Sequence, residues 1–247
     1  MIGYICARLT TFRRGGGFVA TSFSEIYCLN ELIKQDKKLS KLPDYMLNFI
    51  NFKYLKYGLG FCRSQVSEET DNFIQKLTDI VEPIEVEYEF VSDGIETVFS
   101  LTPPPPINSQ FYVGVKDIDG IYREVFNYTV NTTNDTVTFT QPHTADDEIL
   151  IVAFTIGQFN QDLDYSLQVI CAESMNIAFL EENQNNRDLL QQMVHSNAWR
   201  IFSQNDHLRG VNFVVRDQRD YVSRLLVDYS FTHTAERMIG LVGNTKF

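Results

Sequence analysis

Residues 85–160 constrain the fold more than any other stretch, because they alternate strand and turn with almost no room for a helix. Six runs, Glu85–Phe90, Thr97–Leu101, Phe111–Lys116, Phe126–Val130, Thr136–Thr140 and Glu148–Ile156, are rich in Val, Ile, Thr, Phe and Tyr. Gly, Pro, Asn and Asp punctuate them, which is the chemistry of strands joined by turns. Phe111, Val113 and Val115 fall on one face of their run, and Val137 and Phe139 do the same in theirs. That period of two predicts a sheet with one face in a core. Ile149–Phe154 is apolar at every position and is expected to lie deepest.

Charge follows the same division. Residues 85–160 hold 2 basic and 12 acidic residues, a net −10, against +2 for residues 1–84 and −3 for residues 161–247. An acidic β segment repels nucleic acid and anionic bilayers. No run approaches the roughly 20 apolar residues that span a bilayer, so no membrane partner is expected.

The flanking segments read differently. Arg13-Arg14-Gly15-Gly16-Gly17 predicts a surface arm whose two arginines can make transient phosphate contacts. A helix is expected from a cap at Ser22 or Ser24, with Ile26, Leu29, Leu32 and Ile33 as its apolar stripe. After a charged turn, Pro43 opens a second helix that runs to about Gly58 or Gly60. Ser67–Asp71 offers a third cap, and Pro83 ends the helical part. Beyond Asn160, the alternating run Tyr165–Cys171 predicts a strand. A helix follows, with Leu190, Val194, Ala198 and Ile201 on one face. Two more strands are expected at Arg209–Val215, after a glycine turn, and at Asp228–His233.

Groups able to do chemistry are scattered. Cys6, Cys28, Cys62 and Cys171 form no metal-binding spacing and are expected to be reduced thiols. His143, His195, His207 and His233 have no common spacing either. Asp162 with Asp164, or Glu181 with Glu182, could act as acid and base, but nothing in the sequence gives either pair an apolar pocket. Asp117 and Asp119 read as a hairpin turn, because the oxygen ladder of a calcium loop stops there. No catalytic residue, metal ligand or cofactor site is therefore assigned.

Two resemblances bear on function. Ser92–Leu101, Phe111–Val115, Tyr128–Val130, Thr136–Thr140, Pro142 and Asp146–Ile151 follow one another much as in the small immunoglobulin-like β-sandwich modules of tailed-phage virion proteins. Leu167–Val169, Arg209–Val211, Arg219–Leu226, Tyr229–Thr232 and Glu236–Gly240 resemble, in order, the phage neck and tail-terminator proteins.

The resemblances imply an α+β chain: an N-terminal arm and helices (1–84), an inserted antiparallel β-sandwich (85–160), and an α/β terminator-like part completing the body (161–247). They imply a structural subunit of a virion, assembled in the host cytoplasm. It would work at the neck or tail as a tail terminator or head-tail connector. Its partners would be copies of itself in a ring and neighbouring portal, connector or tail-tube proteins. Tyr229, Ser230, Phe231 and Thr232 are the expected interface, with Tyr229 and Phe231 on one face of a strand and Ser230 and Thr232 on the other. A virion binding module that recognises a receptor or decoration partner is the alternative, and a hydrolase with an accessory sandwich is a third reading.

Overall fold

The computed structural model describes residues 20–66, 76–184 and 204–243, with side chains in the last stretch described over 212–232. Helices and antiparallel sheets share the chain, an α+β fold. It divides into two compact units. One comprises residues 1–40, 50–80 and 159–247, and the other residues 41–49 and 81–158.

In the first unit, α1 (Phe23–Leu29) starts at Ser22, whose hydroxyl accepts from the Ser24 amide. The expected continuous stripe is interrupted at Asn30. Its side chain accepts from the Ile33 amide and opens a separate turn of helix, α2 (Glu31–Lys34), while its Nδ2 donates to the Ala172 carbonyl. An Asn that can cap and also satisfy a buried carbonyl outcompetes helix continuation there. Next, α3 (Asp44–Gln65) follows Pro43, whose carbonyl accepts from the Leu47 amide. It runs through Gly58 and Gly60 rather than ending at them.

The unit is organised about α4 (Tyr165–Gln184), which buries nearly every residue from Ile170 to Phe179. A helix buried on all sides shows no clean 3.6 period, and for that reason its first turns read as a strand. On one side α3 runs antiparallel to it. Tyr54 meets Phe179 edge-on at 5.9 Å, and the backbones close so far at Gly58 that an added Cβ would lie 2.7 Å from the Ser174 carbonyl carbon. Also antiparallel to it is α5 (Gln204–Gly243), with Gln218 donating to the Glu173 carbonyl and Tyr229 to Asp164, and Ser223 reaching Gln65 of α3 at 3.3 Å.

The C-terminal strands expected at residues 165–171, 209–215 and 228–233 are thus corrected to helix. Arg209 and Gly210 lie inside α5, with no turn between them. Val215, Val222, Leu226 and Tyr229 are its buried stripe, at spacings of seven, four and three residues. Short Val- and aromatic-rich runs favour strands locally, but this longer stripe matches a helical face and tertiary burial overrides propensity. Arg13, Arg14, the glycine run, the Ser67–Asp71 cap and the Leu190–Ile201 face lie outside the described residues.

The second unit is a β-sandwich. One sheet has the order β2 (Glu85–Val91), β8 (Glu148–Phe154), β4 (Gln110–Lys116), β5 (Tyr122–Glu124). The other runs β3 (Val98–Ser100), β7 (Thr136–Phe139), β6 (Tyr128–Asn131). A short pair, β1 (Ile80–Val81) with β9 (Gln158–Phe159), completes the strands. Tyr88, Phe99, Val113, Val137, Phe139, Ile149 and Ile151 come from both sheets and form one buried cluster between them. The pairing is nested: the first strand of the sandwich pairs with its last, and the second with the penultimate. An immunoglobulin constant domain instead groups its first, second, fifth and fourth strands in one sheet. The sandwich is present without that strand order.

β8 is apolar on both faces for a visible reason. Ile149, Ile151 and Ala153 point into the sandwich, whereas Leu150, Val152 and Phe154 join Tyr112 in a second cluster on the outer face. Tyr45, in the first turn of α3, covers that second cluster, its ring 4.9 Å from Tyr112 and 6.5 Å from Phe154. Asn48 adds a hydrogen bond to the Thr155 carbonyl. Residues 41–49 therefore belong with the sandwich, although the sequence gives them the pattern of a body helix.

Candidate functional site

The four expected interface residues sit on α5, and the helix separates them differently from a strand. Tyr229 and Phe231, two residues apart, turn about 200° from each other on a helix. Tyr229 is only 9% exposed, and its hydroxyl donates to Asp164 Oδ2 at 2.5 Å. Phe231 is 70% exposed. Ser230 Oγ donates to the Val227 carbonyl and Thr232 Oγ1 to the Asp228 carbonyl, so both hydroxyls return to their own helix. The expected grouping of Tyr229 with Phe231 is corrected: Tyr229 is core, and Phe231 lies on the solvent side.

Sequence reading missed the partner of Phe231 on that side. Phe213, 65% exposed, lies 18 residues earlier, which is five turns, so the two rings align on one edge about 27 Å apart. Val227 lies close to the same edge, with Tyr221 and Val214 flanking it. α5 therefore has one apolar face buried in its own unit and an opposite edge on which exposed Phe213, Val227 and Phe231 stand among exposed Asp217, Asp220, Arg224 and Asp228. Phasing Phe213 and Phe231 against the buried stripe would have revealed that edge.

Beside it runs an open groove of about 720 Å³ whose lining includes Phe61, Gln65, Glu181, Arg216, Arg219 and Asp220. Two of its charges are paired. Glu181 accepts from Tyr57 Oη at 2.5 Å and is ion-paired with Arg219. The bond to Glu181 holds the Tyr57 hydroxyl above its usual range, with partial burial adding to the effect. Lys53 pairs with Glu182 at 3.0 Å.

The carboxylates weighed as acid and base all have structural partners. Asp162 accepts from Thr21, Asp164 caps α4 through the Leu167 amide and holds Tyr229, and Glu181 and Glu182 are in the ion pairs just described. Asp117 closes the β4–β5 hairpin by accepting from the Asp119 and Ile121 amides and from Arg123 Nε at 2.5 Å. Among the described residues no group of three or more His, Cys, Asp or Glu could hold a metal ion. His143 packs edge-on against Phe139 with its Nε2 unbonded, while His195 lies outside the described residues and the side chains of His207 and His233 are not described.

Cys62 and Cys171 are free and buried, whereas Cys28 is disulfide-bonded, so the expectation of four reduced thiols is corrected for Cys28. Burial pushes the Cys62 thiol up to about 12 and raises Cys171 well above its ordinary value. Among the described residues no helix is long and apolar enough to cross a membrane.

No protein-family model matches the sequence, and no curated protein matches it.

Proposed function

We propose that the chain is a structural subunit of a tailed-phage particle that works by assembling with copies of itself into a ring at the neck. The observation that supports this reading is the pair of exposed phenylalanines on the outer edge of α5. A helix whose inner stripe already completes a core, yet whose outer edge presents two aligned phenylalanines, leaves apolar surface for a neighbour to cover. The reading covers the tail terminator and the head-tail connector alike, since one set of segments carried the likeness to both and those segments are helical.

The test is the oligomeric state of the purified chain, by native mass measurement and electron microscopy. Closed rings are expected for the wild type. Phe213→Asp/Phe231→Asp should melt like the wild type and remain monomeric. A wild type that stays monomeric at high concentration, or a double variant that still closes rings, overturns the reading.

A further inference from the structure

The sandwich carries a second unpartnered surface, at the end opposite Ile84 and Thr155. Strand register places it. Val91, Glu148 and Lys116 are opposite one another across β2, β8 and β4, and Tyr122 continues the row on β5. Three loops, 92–97, 117–121 and 140–147, leave the sandwich beyond that row. The first and third are tied together by the Ser92 amide to the Asp147 carbonyl at 2.9 Å and the Asp146 amide to the Ser92 carbonyl at 2.8 Å. Neighbouring strands lie about 4.8 Å apart, so β2 and β4 deliver their loops about 10 Å from each other.

These loops hold isoleucines in water. Ile95 is 82% exposed, Ile121 60%, and Ile118 fully exposed. Loose loops do not account for this, because each turn is pinned by an aspartate. Asp93 Oδ1 accepts from the Ile95 amide at 2.8 Å and the Glu96 amide at 2.7 Å. Asp117 Oδ1 accepts from the Asp119 amide at 2.9 Å and the Ile121 amide at 3.0 Å. Gly94 and Gly120, at φ of +82° and +77°, supply the left-handed positions both turns need.

Carboxylates surround the isoleucines. Asp93, Glu96, Asp119 and Asp146 are exposed, and among the described residues Asp93, Glu96 and Asp146 have no cation at ion-pair distance. The two nearby cations are engaged, Lys116 by Glu148 and Arg123 by Asp117 and Asp119. We infer that this loop end is a docking surface for another protein, one presenting apolar pockets rimmed by Lys and Arg. Apolar tips match the pockets, and an unneutralised acidic rim selects a cationic border while repelling anionic lipid. The inference does not depend on ring assembly, since it concerns a different surface.

The probe is a fluorescein-labelled amphipathic helical peptide of leucine and lysine, titrated into the full chain and followed by anisotropy. A serine–lysine peptide, a leucine–glutamate peptide, and vesicles of neutral or mixed neutral and anionic phospholipid serve as comparisons. The leucine–lysine peptide should bind best, and added salt should weaken it. Ile95→Ser/Ile118→Ser/Ile121→Ser should lower affinity at least about tenfold, because each buried isoleucine contributes about a decade or more. Glu96→Gln/Asp146→Asn should reduce the salt dependence, and Ile107→Ser, exposed at the other end, should change nothing. The inference is overturned if the parent binds no peptide, binds vesicles or the serine–lysine peptide as well, or loses nothing in the triple variant while its unfolding midpoint is unchanged.

Discussion

Gly58 and Gly60 lie two residues apart in α3, and alanine at the two positions should act in opposite directions. At Gly60 an added Cβ meets nothing within 4 Å, and the position is exposed. Gly60→Ala should therefore gain the propensity difference alone, about 0.5–1 kcal/mol. Gly58→Ala gains the same term but places a Cβ 2.3 Å from Ser174 Oγ, 2.7 Å from its carbonyl carbon and 2.8 Å from its oxygen. The hydroxyl can rotate away, but the backbone cannot. Reaching an ordinary 3.4 Å contact from 2.7 Å requires α3 and α4 to part by about 0.7 Å. α4 has nowhere to retreat, because Leu167, Ile170, Met175 and Ile177 are buried around it. Overpacking of this kind costs about 1–3 kcal/mol, and because the propensity gain is common to both, the two variants should differ by about 1–3 kcal/mol, Gly58→Ala being the less stable. Urea unfolding followed by helical circular dichroism reads the difference directly. Equal stabilisation by the two alanines refutes the close crossing.

Three further outcomes are expected. An excised 81–158 sandwich lacks Tyr45, so Tyr112, Leu150, Val152 and Phe154 become open; it should bind a hydrophobic dye and self-associate, whereas a version carrying residues 41–49 on a linker should not. Burial, then Glu87 beside it, raises the Glu85 carboxyl above its ordinary value of 4.5. Its protonated form is thus favoured by folding, a contribution complete below pH 4.5 and lost as pH rises through the elevated folded value. Glu85→Gln should accordingly raise the melting temperature at neutral pH and flatten its decline above pH 4.5, and an unchanged melting profile would count against the burial of this group. Cys62 and Cys171, buried and held protonated, should resist a thiol-specific reagent until urea unfolds the chain; rapid labelling under native conditions would place them wrongly.

Six of the sandwich strands were legible, most because side chains that alternate between two faces write a period of two into the sequence, as Phe111, Val113 and Val115 do, and β8 because its run is apolar throughout. Ser22 was legible as a cap and Pro43 as a helix opener, since both act through local backbone chemistry. The C-terminal helices were not. α4 is covered on every side, so its side chains record burial but no face, and α5 shows its stripe only when Val215, Val222, Leu226 and Tyr229 are read as one set. Tyr229 and Phe231 look alike as neighbours in a sequence. Only the course of α5 past Asp164 sends one hydroxyl inward and leaves the other ring in water.

Sequence alone determined where residues 85–160 must be extended, where they must turn and where the chain's acid lies, because those depend on residues a few positions apart. Tertiary structure decided the rest: the nested pairing of β2 with β8 and β3 with β7, the recruitment of residues 41–49 to the sandwich, and the interruption of a helix at Asn30. Each of these depends on groups distant in sequence, such as Tyr45 against Phe154 or Asn30 against Ala172. Contacts of that kind leave no periodic trace, since their free energy is gained only when the chain closes on itself.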